Sequence, residues 1–215
     1  MTLMAIINII WVKIKNMGGD ALKDILLITN TDSSEGFIKE LLMNAKYNKI
    51  YNAYNYSDGV NLVEVHPFDL VMINAPMRTE LGDRLAKHAA MKSTAMVMFI
   101  ARETTFNQSH DALSKLGVIC VKKPVVVKPF QQLIKMLETT AIRTRSLAAG
   151  GGVSMNEMDD IRMTEVAKWH LISRFNMSES QASRVFEQFI LDSGLSRVYA
   201  SEQVIDGAIN EGYFT

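Results

Sequence analysis

Phe68-Asp69-Leu70-Val71-Met72-Ile73-Asn74, residues 68–74, decides the fold. From Leu70 to Ile73 the chain is apolar without a break, and an amide, Asn74, closes the run. A strand covered on both faces reads this way, because neither set of alternating side chains meets water. Working outward, Ile25 to Ile28, Ala95 to Ile100 and Val118 to Val121 repeat the pattern, and Ile50 to Ala53 gives a weaker version. Helical spacing fills the intervals. Ser33 to Ala45 places Phe37, Ile38, Leu41, Leu42 and Ala45 on one face. Asp58 to Val65, Leu81 to Ala90, Phe106 to Leu116 and a stretch from Gln131 onward follow. This alternation predicts an α/β protein with a doubly wound, five-stranded parallel sheet of the receiver or flavodoxin type. Right-handed crossovers put helices on both faces. Ligands of such sheets bind beyond the C-terminal strand ends. The informative residues are therefore those just after Ile28, Ile73, Ile100 and Val121.

Composition narrows the function classes. The 215 residues are 48% hydrophobic and 21% charged, as in an ordinary globular protein long enough for two small domains. Lysine and arginine balance aspartate and glutamate at 23 each, so any contact with nucleic acid must come from a local patch. The single cysteine, Cys120, precludes an internal disulfide and a thiolate metal cage, and fits a reducing cytoplasmic setting. His66, His88, His110 and His170 show no metal spacing, and no glycine-rich phosphate loop follows the first strand. The expectation is a non-enzymatic protein with no metal, no cofactor and no membrane span.

Residues 1–21 read as an N-terminal extension. Leu3 to Ile14 is apolar but too short to span a bilayer, and Lys13 and Lys15 lie on the wrong side of it for a signal peptide. An interfacial helix, or a natural start at Met17, are the other readings of that stretch. Residues 22–130 form the sheet domain. Residues 131–154 read as a helical linker, with Leu133, Leu137, Thr140, Thr144 and Leu147 spaced four, three, four, three as in a weak coiled-coil heptad. Three glycines, 150–152, then mark a flexible joint. Residues 155–215 hold three helices, about 155–175, 178–192 and 196–210. Ser154 with Glu157 makes a capping box, Ser178 caps the second helix, and Gly194 ends it in a left-handed conformation.

Over residues 22–140 the chain resembles a response-regulator receiver. In that family an acidic pair after strand one and an aspartate after strand three hold magnesium, and the aspartate accepts the phosphoryl group. A hydroxyl residue after strand four and a Lys-Pro after strand five complete the pocket. Hard carboxylate oxygens suit Mg²⁺, and a carboxylate is the nucleophile. In this sequence Thr29 and Asn30 stand at the acidic pair, with Asp32 the only carboxylate nearby. Asn74 stands at the phosphoacceptor and Ile100 at the hydroxyl position. Lys123-Pro124 remains, with the cis proline the resemblance implies. Lys122 is an alternative register for the lysine, and Cys120 falls near an aromatic switch position. The pattern implies a pseudo-receiver without phosphotransfer, acting through a sensor or regulatory protein, with Asn74 and Lys123 bonded to each other.

The C-terminal run Ala167-Lys168 followed by Met177-Ser178-Glu179-Ser180-Gln181-Ala182, then Phe186 and Ile190-Leu191-Asp192, is similar to the ANTAR module of transcription antiterminators. Trp169 and Ile190 depart from its usual small residues. The resemblance covers about 50 residues and implies binding to RNA hairpins in nascent leader transcripts, with homodimerisation through the linker helix. Candidates for phosphate contact are Lys168, Arg174, Arg184 and Arg197. Trp169, His170, Ser178 and Gln181 lie nearby for contact with bases.

Charge cuts against this. From Met155 onward Arg162, Lys168, Arg174, Arg184 and Arg197 face ten carboxylates. Lys122, Lys123, Lys128, Lys135, Arg143 and Arg145 offset only Glu138. The expectation is modest RNA affinity with strong salt dependence. The competing readings are an atypical DNA-binding response regulator and a protein-interaction scaffold that binds no nucleic acid.

Overall fold

The structure is a computed structural model describing residues 24–30, 32–44, 47, 49–77, 82–149 and 154–214; side chains at 32–35, 44 and 145–149 lie outside that description. The N-terminal extension, Leu147, the glycine joint at 150–152 and the side chain of Asp32 therefore fall outside it.

Five strands, β1 (Ile25–Thr29), β2 (Ile50–Ala53), β3 (Leu70–Asn74), β4 (Met96–Ala101) and β5 (Val118–Lys122), form one parallel sheet in the order β2-β1-β3-β4-β5. Every residue of β1, β3 and β4 is buried, as their unbroken apolar runs require. The covering helices are α1 (Asp32–Asn44), α2 (Tyr56–Val65), α3 (Asp83–Lys92), α4 (Glu103–Ser114) and α5 (Val127–Ala149). Parallel register sets Asn74 between Thr29 and Ile100, and Ala101 beside Lys122. The residues read as the ends of four strands thus stand in one row.

α5 begins at Val127, four residues before the expected start. Pro129 lies in its first turn, where a missing N–H costs nothing. A boundary at 130/131 would cut this helix. Phe130, Leu133, Ile134, Leu137 and Ala141 are all buried, and all belong to the core that covers one face of the sheet. The heptad is corrected accordingly: Leu133, Leu137 and Thr140 are buried within this chain and do not form an open seam for a second one.

Three further helices follow: α6 (Met155–Phe175), α7 (Glu179–Ser193) and α8 (Arg197–Ile205). Both expected starts hold. Ser154 and Glu157 form a capping box, and so do Ser178 and Gln181, each pair satisfying free N–H groups of a first turn. Gly194 ends α7 at φ 64°. α8 stops at Ile205, short of the expected 210, and Gly207 turns the chain at φ 93°. Ala167, Ala182 and Ala200 are fully buried, which lets the three helices approach closely.

These helices share a core with the sheet. Met158, Met163, Val166, Trp169 and Phe186 join the apolar cluster that contains Ile119, Val121 and Leu133. Two polar contacts pin the junction. Arg162, fully buried, donates from Nη1 to the Ala90 carbonyl (2.6 Å), from Nη2 to that of Ser93 (2.6 Å) and from Nε to that of Ala95 (3.0 Å). These carbonyls close the end of α3, where backbone oxygens lack helical partners and the dipole favours a cation. Trp169 donates from Nε1 to the Cys120 carbonyl (2.9 Å) on β5, an edge strand with one neighbour.

Candidate functional site

An open cleft of about 530 Å³ sits at the C-terminal strand ends, lined by Phe37, Ile38, Asn74, Arg102, Lys123, Pro124 and Val125. The sheet dictates its place. β3 delivers Asn74, the segment after β4 delivers Arg102, and the segment after β5 delivers Lys123. The amide N of Ala75 donates to the Ile100 carbonyl and that of Lys123 to the Ala101 carbonyl, both at 2.8 Å, so the loop starts are tied together.

Each receiver-like position can now be located. Asn74 is buried where it lines the cleft, Thr29 is buried beside it in the sheet, and Oδ1 of Asn30 is enclosed without a hydrogen-bond partner among the described residues. Ile100 is fully buried and presents no hydroxyl. Lys122 points outward and pairs with Glu103, so Lys123 is the lysine of the cleft. Lys123 Nζ donates to the Ala75 carbonyl (2.7 Å) and not to the Asn74 side-chain oxygen, which corrects the expected bond between Asn74 and Lys123. The Lys123-Pro124 bond is cis, as expected, and so is Ala75-Pro76. Burial, and then repulsion from Arg102, hold the Lys123 ammonium below the usual lysine range. Cys120 is buried, and burial pushes its thiol up to about 12, which makes it a poor nucleophile.

A magnesium ion does not fit the described side chains. The described side chains lining the cleft offer amide oxygen and two cations but no carboxylate, whereas hard divalent cations need charged oxygen ligands. Arg102 and Phe37 were not singled out from sequence as site residues. Arg102 lies just beyond the end of β4, where ligands of parallel sheets bind. Phe37 was read as part of the inner face of its helix, yet it is 48% exposed.

The second candidate set, on the C-terminal helices, is dispersed. Trp169 is buried and bonded to Cys120, which corrects its reading as a base-stacking residue. Lys168 is mostly buried and pairs with Glu165 at 2.6 Å, inside the core and away from any phosphate. Burial raises the Glu165 carboxyl, and the ammonium of Lys168 works against that rise. Arg197 is held bidentately by Glu187 at 2.7 and 2.8 Å. Ser178 and the side-chain oxygen of Gln181 are committed to the α7 cap. His170 is half-buried, and burial, then Arg174 and His110, lower its pKa. Arg174, lying beside the Phe175 ring, and Arg184 are the two exposed candidates with no carboxylate partner among the described residues.

No family model matches this chain, and no curated protein matches it. Solved structures do. A signal receiver domain from a Luxo repressor protein of Vibrio parahaemolyticus is 12% identical, with a TM-score of 0.51, over 59% of this chain and 97% of that chain. A signal receiver domain of an HD domain-containing protein from Pseudomonas fluorescens is 13% identical, with a TM-score of 0.50, over 59% of this chain and 93% of that chain. The sheet and its helices thus have a receiver-like fold, followed by further helices. No helix among the described residues is long and apolar enough to cross a membrane.

Proposed function

We propose that this chain is a regulator whose receiver-like domain works without carrying a phosphoryl group. The observation that supports this is Asn74 at the end of β3, with neutral Thr29 and Asn30 near it and Lys123 turned to the Ala75 carbonyl. An amide is no useful nucleophile toward phosphorus, and neutral oxygens hold a divalent cation weakly. Control then runs through a partner protein or a ligand, and α6–α8 is the output element.

For that output we propose RNA hairpins of nascent leader transcripts as the target, in the manner of an ANTAR module. The order of the motif supports it, as do Arg174 and Arg184, exposed on either side of the Ser178-capped turn. Arg174 and Arg184 would contribute roughly two counterions to the salt slope, and the exposed Lys128 and Lys135 of α5 would add to them. The test is titration of the full chain with a tandem-hairpin leader RNA and with duplex DNA. Binding of the RNA that is lost in Arg174→Glu/Arg184→Glu supports the reading. Indifference to the RNA, or binding that ignores both substitutions, overturns it, and a footprint on duplex DNA would assign the output to DNA.

A second reading, a protein-contact module, is favoured by the acidic balance of these helices and by Leu191 and Tyr199, apolar side chains 75% and 58% exposed. Capture of a sensor protein regardless of nuclease treatment would select it.

A further inference from the structure

Among the described side chains, the cleft at the strand ends holds two cations and no carboxylate, which phosphotransfer does not account for. Arg102 and Lys123 line it together, and no carboxylate does among the described residues. The guanidinium of Arg102 is exposed and has neither an ion pair nor a hydrogen bond with the described residues. Lys123 uses one N–H on the Ala75 carbonyl, which leaves two of its three donors for another acceptor. Its pKa is lowered first by burial and then by Arg102, so the two cations disfavour each other where they stand. An anion placed between them removes that cost. The opposite walls are of another kind. Phe37, Ile38, Pro124 and Val125 are apolar, and Phe37 is about half exposed at the mouth. Asn74 adds one amide at the floor. A volume of about 530 Å³ lies within the range of small-molecule sites, which are mostly apolar with a few convergent polar groups.

We propose that this cleft binds a small organic anion, with a carboxylate or phosphate head held by Arg102 and Lys123 and an apolar body laid against Phe37, Ile38 and Val125. The inference rests on the reading that Asn74 carries no phosphoryl group, and it supplies the input that such a regulator needs. Arg102 presents a planar fork suited to two oxygens of the head, and Lys123 presents a point charge. The apolar walls select against inorganic ions, which have nothing to bury there.

The test is calorimetric titration of the full chain with benzoate, 3-methylbutanoate, phenyl phosphate, inorganic phosphate and benzyl alcohol. At least one organic anion binds, and its neutral or inorganic counterpart binds about tenfold or more weakly, from loss of a charge-assisted bond or of apolar burial. Arg102→Gln, a surface change that leaves the fold intact, weakens the organic anion about tenfold, and Lys123→Gln does the same. Phe37→Ala weakens the phenyl anions and leaves inorganic phosphate unchanged. Comparison of benzoate with phenyl phosphate identifies the head group. The proposal is overturned if no member of the panel binds, if binding ignores both Arg102→Gln and Phe37→Ala, or if inorganic phosphate binds as tightly as phenyl phosphate. Acetyl phosphate with Mg²⁺ separates the two readings. Covalent labelling of the chain contradicts the phosphoryl-free reading, whereas absence of label together with absence of anion binding contradicts this inference alone.

Discussion

Arginines stand at opposite ends of β4, and they do opposite things. Arg162, beneath the N-terminal end, is fully buried and gives its donors to the carbonyls of Ala90, Ser93 and Ala95. Arg102, beyond the C-terminal end, is exposed beside a cleft and gives its donors to no described residue. One end of the sheet is therefore closed by an arginine that serves the fold, and the other is left open with an arginine available to a ligand. The same contrast divides the C-terminal helices, where Arg197 is committed to Glu187 while Arg174 and Arg184 have no carboxylate partner among the described residues. A cation's residue type says little; what its neighbours already satisfy says what it can still bind.

The contrast can be broken most directly by exchanging the two ends. Arg162→Met strands three carbonyls and opens the joint between α6 and the sheet, so it costs about 3 kcal/mol or more, read by urea unfolding. Arg102→Met changes stability by no more than about 0.5 kcal/mol, as an exposed surface change should. Equal costs would show that the ends of the sheet do not differ in this way. Gly117→Ala is the next largest. Gly117 has φ 73°, and an added Cβ would lie 2.5 Å from Cβ of Arg162, so the substitution both strains the backbone and displaces the staple. It costs about 1–3 kcal/mol by the same measurement, and a similar amount in the Arg162→Met background, because methionine keeps the Cβ that is met and the left-handed φ is unchanged.

A smaller effect sharpens the docking of α6. Trp169→Phe keeps most of the packing but removes the donor to the Cys120 carbonyl, at a cost of about 1 kcal/mol. Smallest is a pH effect. Burial and the neighbouring Arg174 and His110 hold His170 below its ordinary value, so the folded state favours the neutral ring. Its contribution is complete above the unfolded-chain value of about 6.5 and is lost as pH falls below that toward the lowered folded value. Unfolding free energy should therefore drop more between pH 7.5 and 5.5 in the parent chain than in His170→Gln. An identical drop in both would exclude His170 as a source.

Much of the sheet was legible because parallel strands bury both faces, and the runs around Ile25, Leu70, Met96 and Val118 carry that requirement openly. Helix starts were legible where a side chain performs the cap, as Ser154 and Ser178 do. α5 starts four residues before Gln131 because Pro129, whose missing N–H is harmless within a first turn, lets the helix begin at Val127. Its 4-3-4-3 spacing was misread because a buried face and a dimer seam share one periodicity. Arg162 was passed over as one more cation. Yet it sits four residues after Met158 and four before Val166, on the apolar stripe of α6, and a charge in a core phase is the signal that could have found it. The RNA candidates were chosen by residue type, and type does not reveal that Glu165, Glu187 and the Ser178 cap already hold Lys168, Arg197 and Gln181.

A strand-end cleft closed to phosphotransfer takes up no phosphoryl group. Incubation of the purified chain with acetyl phosphate and Mg²⁺, followed by intact-mass measurement, tests it directly. The account predicts an unchanged mass for the parent chain and for Asn74→Asp, because restoring one carboxylate leaves Thr29 and Asn30 where metal ligands are needed. A phosphoryl adduct on the parent chain, absent from Asn74→Ala, would contradict it.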